Sequence, residues 1–143
     1  MNNLYTTEAT ANGKERQVCC TGSNLAVETC SPKELGGTGQ GTNPAQLFAA
    51  GYACCFQTSL NAAANRQHVD ASHSTITSRV GIQPQTGGTL GFNVELHITL
   101  PGVEKATAEQ LIEQAHQICP FSNATRGNIP VLLILEEQPL TVS

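Results

Sequence analysis

Thr42-Asn43-Pro44-Ala45-Gln46-Leu47-Phe48-Ala49-Ala50-Gly51-Tyr52-Ala53-Cys54-Cys55-Phe56 begins the segment around which the rest of the chain must be arranged. Asn43 suits a helix N-cap, because its side-chain oxygen can accept from an orphan backbone N–H. Pro44 suits the first helical position, where no N–H is needed. Helix-compatible, Ala-rich sequence then runs on to Arg66. From Leu47 to Leu60 it is apolar nearly all round, which predicts a buried central helix rather than a surface one. Gly51 and the alanines would let other backbone pack closely against it. Cys54 and Cys55 fall in its middle.

Downstream, residues 74–100 change period. Ile76, Ser78, Val80 and Ile82 share one face, Gly87-Gly88 marks a turn, and Phe92, Val94, Leu96, Ile98 and Leu100 share the next apolar face. Alternation with period two predicts a strand hairpin. His97 falls on the polar face with Glu95, which predicts a solvated histidine. Thr107-Ala108-Glu109-Gln110 reads as a capping box opening a second helix. Leu111, Ile112, Ala115, Ile118 and Cys119 form its apolar stripe. Pro120 stops or kinks this helix and leaves Cys119 at its C-terminal end. Val131 to Leu135 is a final apolar strand.

Upstream, Tyr5 to Thr10, Val18 to Thr21, and Leu25, Val27 and Thr29 read as short strands, the first two joined by a turn at Asn12-Gly13. Gly36-Gly37-Thr38-Gly39-Gln40-Gly41 invites a phosphate-loop reading. It fits neither G-x-G-x-x-G nor a Gly-Lys-Ser/Thr ending, so it is read as a connector. The order strands, helix, hairpin, helix, strand predicts an α+β fold, with antiparallel sheets wrapped around two central helices.

The chain of 143 residues is the length of one domain over residues 1–143, or of two small lobes sharing a core. Only 13% of residues are charged, against about 25% in ordinary globular proteins, which points to a surface partly covered by another copy. A net charge of −4, no Trp and no Lys/Arg cluster argue against nucleic acid. No run approaches the ~20 apolar residues of a membrane span. The start Met1-Asn2-Asn3-Leu4-Tyr5 lacks the features of a signal peptide, so a cytoplasmic location is expected.

The six cysteines are Cys19, Cys20, Cys30, Cys54, Cys55 and Cys119. A disulfide framework is a poor reading in a chain this long without an export signal. The plainest reading makes most of them small, buried, reduced hydrophobes. No C-x-x-C pair occurs, and His116-x-x-Cys119 supplies two ligands at most, so no metal site is expected. A Cys in a buried helix and another at the end of a second helix can also serve as a redox pair. One thiolate would attack a peroxide, and the other would condense with the sulfenic acid. Spacing alone leaves that reading open beside two inert core thiols.

The flanking residues add a specific resemblance. Pro32-Lys33-Glu34-Leu35-Gly36-Gly37, Thr42-Asn43-Pro44 followed by Gln46-Leu47-Phe48-Ala49-Ala50-Gly51-Tyr52-Ala53, Cys55-Phe56, and Cys119-Pro120-Phe121-Ser122-Asn123-Ala124-Thr125-Arg126-Gly127-Asn128 closely resemble the organic hydroperoxide resistance branch of the Ohr/OsmC superfamily. The resemblance covers essentially the whole chain. It implies an OsmC-like fold in an intertwined homodimer, and reduction of organic hydroperoxides to alcohols. By its motifs, Cys55 is the peroxidatic and Cys119 the resolving cysteine, and they join as an intramolecular disulfide. No bound cofactor is implied. The reductant is a dithiol of lipoyl type, carried by a lipoylated protein or supplied by another dithiol. Leu47, Phe48, Phe56 and Phe121 flank the motifs and are expected to line an apolar substrate pocket.

Two positions depart from the family. Ala45 stands where the family has a Glu, and Lys14 where it has the Arg that this Glu holds over the thiolate. Arg16 lies two residues on as a substitute cation. Lys cannot reproduce a guanidinium's planar fork. The departures favour an alternative: an OsmC-fold protein that binds an apolar ligand or senses redox state, with little turnover. A purely structural dimer is a third reading.

Overall fold

The computed structural model describes residues 2–137. Its elements are β1 (Ala9–Asn12), β2 (Gln17–Cys20), β3 (Ala26–Glu28), α1 (Pro44–Arg66), β4 (Thr75–Pro84), β5 (Leu90–Thr99), α2 (Lys105–Ile118), α3 (Pro120–Thr125) and β6 (Val131–Leu135). The α+β class is as expected. The chain divides into two compact units, Met1–Leu47 and Phe48–Ser143.

The N-terminal unit carries the antiparallel sheet β1-β2-β3. Its first strand begins at Ala9 rather than Tyr5, because the paired register runs from Ala9 opposite Cys20 to Asn12 opposite Gln17, with Glu8 O accepting from Thr21 N–H at 3.1 Å just before it. Leu4 and Tyr5 are exposed. The turn is built on Asn12, whose Oδ1 accepts from the N–H groups of Lys14 and Glu15, both at 3.1 Å. A single-residue bridge between Thr29 and Thr42 closes the unit ahead of α1.

Helix α1 starts as its sequence dictates. The N–H of Gln46 donates to Asn43 Oδ1 at 2.9 Å, and the N–H of Asn43 donates to Gln46 Oε1 at 3.2 Å, a reciprocal cap. The helix ends with His68 at φ 57, where His68 N–H donates to Asn65 O at 3.2 Å and Val69 N–H to Ala64 O at 2.9 Å. One side of α1 is buried through Tyr52, Phe56, Leu60, Ala63 and Ala64, while Ala50, Cys54 and Thr58 are exposed. Within this chain the helix is therefore covered on one side only, not all round.

In the C-terminal unit that covered side meets Val94, Leu96 and Ile98 of β5 and Leu111, Ile112 and Ala115 of α2 in one core. Burying each large side chain is worth about 1.5–3 kcal/mol. The second sheet has the order β4-β5-β6 and is mixed, a correction to the expected antiparallel arrangement. β4 pairs antiparallel with β5, but β6 lies parallel to it. Two helices separate β5 from β6, and such a crossover returns the chain in the same direction.

Helix α2 begins at Lys105, not Thr107. Gly102, at φ 76, turns the chain, and Ala108 N–H already bonds Glu104 O at 2.8 Å, so the expected capping box lies inside the helix. Pro120 opens a third helix instead of only ending the second, because its ring suits a first helical position. His97 keeps part of its surface in solvent, as its strand face implies, but both ring nitrogens also meet carboxylates, Nδ1 that of Glu136 and Nε2 that of Glu95. The expectation that most cysteines are buried also fails. Cys119 is buried, Cys20, Cys30 and Cys55 are intermediate, and Cys19 and Cys54 are exposed.

Candidate active site

Cys55 lies one turn after Tyr52 on α1, so both side chains occupy the same side of the helix. Cys119 occupies the junction between α2 and α3, with extended backbone at φ −68 and ψ 122. The cause is local, since the residue before a proline is pushed out of the helical region. Its N–H still closes α2 on Ala115 O at 2.9 Å, and its carbonyl accepts from Asn123 N–H at 2.9 Å to open α3. This break in the helix brings the Cys119 thiol to the Cys55 sulfur, 3.4 Å away. A disulfide needs about 2.0 Å, so an approach of about 1.4 Å closes the bond.

Burial pushes the Cys55 thiol up from its ordinary pKa. The backbone N–H of Phe121 pulls the other way, while Cys119 and then Cys54 add to the rise. Cys119 itself is fully buried. The Phe121 N–H thus favours negative charge on the Cys55 sulfur, and enclosure opposes it.

The wall beside the sulfurs is aromatic. Phe121 lies 5.9 Å from Phe48 and 5.5 Å from Tyr52, and Phe48 lies 4.8 Å from Phe92, centroid to centroid. Phe121 approaches α1 so closely that a Cβ on Gly51 would lie 2.9 Å from its Cζ. A buried polar chain runs alongside. Tyr52 Oη meets Ser122 Oγ at 2.8 Å and Thr125 Oγ1 at 3.3 Å, and Ser122 Oγ meets His116 Nδ1 at 2.8 Å. Burial holds the His116 imidazole below its ordinary pKa, helped by the Arg126 charge and opposed by Glu113. Arg126 donates to the His116 carbonyl at 2.7 Å.

Of the residues singled out in the sequence, Cys55 and Cys119 are in contact, and Phe48 and Phe121 stand side by side. Phe56 is enclosed in the core at 0% exposure, so it offers a pocket no surface. Leu47, Ala45, Lys14 and Arg16 belong to the N-terminal unit. Lys14 is exposed in the β1–β2 turn, and Arg16, at φ 50, borders a cleft of about 500 Å³ together with Cys30, Thr38 and Pro44. Among the described residues, no three His, Cys, Asp or Glu side chains are grouped to hold a metal.

Two features were not foreseen. The Tyr52–Ser122–His116 chain joins helices distant in sequence, and nothing local announces it. Cys30 lies beside the glycine segment read as a connector, its Sγ 3.0 Å from Thr38 Oγ1. The Thr38 hydroxyl lowers this thiol to about 7 against some desolvation, aided by the N–H groups of Gln40, Thr38 and Gly39. A cysteine ahead of consecutive glycines was the available signal, since such loops turn several N–H groups inward.

The chain is similar to known proteins. Residues 37–133 match the family described as OsmC-like protein. The organic hydroperoxide resistance protein of Xanthomonas axonopodis pv. citri (strain 306) is 47% identical over 92% of this chain and 94% of its own length. The crystal structure of an organic hydroperoxide resistance protein from Elizabethkingia anophelis superposes with a TM-score of 0.90 at 44% identity, covering 96% of this chain and all of that one. A Bacillus subtilis organic hydroperoxide resistance protein superposes with a TM-score of 0.83 at 34% identity, over 94% and 100% of the two chains. The chain belongs to the OsmC-like family, in its organic hydroperoxide resistance branch.

Proposed function

We propose that this protein is a thiol-dependent peroxidase that reduces organic hydroperoxides to alcohols, with Cys55 and Cys119 as its redox pair. The relatives named for organic hydroperoxide resistance support a peroxidase-related role. The observation that carries the finer reading is the 3.4 Å contact between the two sulfurs inside an apolar wall. Cys55 thiolate attacks the outer oxygen of the hydroperoxide. An S–O bond forms, the O–O bond breaks, and the alkoxide leaves as the alcohol after taking a proton. The Cys119 sulfur then attacks Cys55, forming S–S while the hydroxyl leaves as water. One hydroperoxide and two thiols give one alcohol, one water and one disulfide. An external dithiol, of the lipoyl type, restores both thiols by exchange.

The same reading takes the chain as one working domain over residues 1–143, cytoplasmic and homodimeric, with no bound cofactor. The exposed apolar side of α1, at Ala50 and Cys54, and the exposed Leu90 and Leu132 support a covering second copy. Lys14 and Arg16 are the cations proposed to serve the thiolate, and Leu47, Phe48 and Phe121 the residues proposed to meet the substrate's carbon chain.

Turnover with cumene hydroperoxide, hydrogen peroxide and a dihydrolipoyl reductant tests this reading. Each CH₂ buried against the aromatic wall is worth roughly 0.8 kcal/mol, so kcat/KM for the organic peroxide should exceed that for hydrogen peroxide by orders of magnitude. Equal values would remove the substrate claim. A second reading, an apolar-ligand binder or redox sensor, is favoured by Lys14 and Ala45. Stoichiometric oxidation of Cys55 without turnover would select it.

A further inference from the structure

Cys119 and Ser122 are three residues apart, as are Tyr52 and Cys55. The sulfur contact and the Tyr52–Ser122 hydrogen bond are therefore successive contacts between the same two segments, at 3.4 and 2.8 Å. The second contact is anchored at both ends. Tyr52 also reaches Thr125, at the far end of α3, and Ser122 also reaches His116, in the last turn of α2. Tyr52 and Ser122 are both at 0% exposure, and Thr125 is at 5%.

A buried hydroxyl is costly unless it is hydrogen-bonded, and a phenylalanine would fill nearly the same space without that cost. What the hydroxyl adds over a phenyl ring is direction: it fixes one register of α3 on α1. Burial favours neutral His116, whose Nδ1 can accept from Ser122. Ser122 then accepts from Tyr52, so both 2.8 Å bonds are made with every proton in use.

We propose that Tyr52, through Ser122, is a positioning residue that holds the Cys119 sulfur within reach of Cys55 while the latter is a sulfenic acid. This rests on the redox-pair reading above. The sulfenic acid has two fates. Attack by Cys119 forms the disulfide and releases water. Attack on a second hydroperoxide forms another S–O bond, breaks another O–O bond and gives the sulfinic acid, which thiols do not reverse. With α3 tethered, the first fate needs only the short closing motion of two side chains. Without the tether, α3 can slide on α1, and Cys119 spends less time in range.

The test is Tyr52→Phe, with Ser122→Ala as the same cut made from the other helix. Each protein is oxidised with cumene hydroperoxide, first stoichiometric and then in large excess. Mass spectrometry then gives the ratio of Cys55 sulfinic acid to Cys55–Cys119 disulfide. Loss of one buried hydrogen bond of ordinary strength should raise that ratio about tenfold. It should also shift the dithiol–disulfide equilibrium in a glutathione buffer about tenfold toward the dithiol, or about 30 mV. A purely structural role would move the urea midpoint and leave both the ratio and the potential at wild-type values, which would overturn the proposal. If the wild type itself forms no Cys55–Cys119 disulfide, the redox-pair reading falls first, and the two failures are distinguished.

Discussion

Replacing Gly51 with alanine tests how tightly α3 is seated on α1. In the exposed interior of a helix, Gly→Ala stabilises by about 1 kcal/mol, because glycine carries extra backbone entropy into the fold. Here the new methyl would stand 2.9 Å from Phe121 Cζ, nearer than real carbon atoms tolerate, and a tight 3.2 Å from Cε2. The ring cannot simply swing away, since Phe48 and Tyr52 pack against it at 5.9 and 5.5 Å. Overpacking of this kind costs typically 1–3 kcal/mol. The helical gain offsets part of that, leaving a net loss of about 1 kcal/mol. Urea unfolding reads it directly. With a slope near 2 kcal/mol per molar, the midpoint should fall by about 0.5 M at unchanged slope. Phe121 is two residues from Cys119, so the variant should also close the Cys55–Cys119 bond more slowly. A midpoint that rises by about 0.5 M, as for an exposed helix position, would show that the ring moves aside freely and that the seating argument is wrong.

Two further predictions concern titrating groups. With its pKa lowered to about 7, Cys30 should be roughly half thiolate at neutral pH, where an ordinary thiol is only a few per cent ionised. Iodoacetamide at pH 7 should therefore label Cys30 ahead of Cys19 and Cys54, and Thr38→Val should abolish that lead; equal labelling of the three would refute it. The Glu136 carboxylate first, and Glu95 second, hold His97 above its ordinary pKa. Its contribution to stability is thus complete below about pH 6.5 and disappears as pH rises through the elevated folded value. His97→Gln should lower Tm most in mildly acid buffer and progressively less at higher pH, and a difference that grows with pH would contradict the assignment.

What could be read in advance was local. Asn43, Pro44 and Gln46 lie within one turn of each other, and the cap they predict forms with both bonds in place. The alternation from Phe92 to Leu100 needed only its own neighbours, and Val94, Leu96, Ile98 and Leu100 are buried as expected. The parallel pairing of β6 with β5 depends instead on how two intervening helices return the chain, which no window around Val131 contains. Thr107 misled because its capping pattern competed with Lys105 and Ala106, which extend a helix as readily as they precede one. The strand alternation places His97 on the polar face, but the Glu136 carboxylate that meets it comes from 39 positions away. Cys55 and Cys119 could not be paired from their spacing. The family motifs around them supplied the expectation, and the proline-induced break after Cys119 supplies the physical means.

The most direct test of the account is peptide mapping after one equivalent of cumene hydroperoxide under non-reducing conditions. One linkage is expected, Cys55 to Cys119 within a single chain, with Cys19, Cys20, Cys30 and Cys54 still alkylatable. A linkage through Cys54, Cys19 or Cys20, a bond between chains, or consumption of the peroxide with Cys55 and Cys119 both still reduced would contradict it.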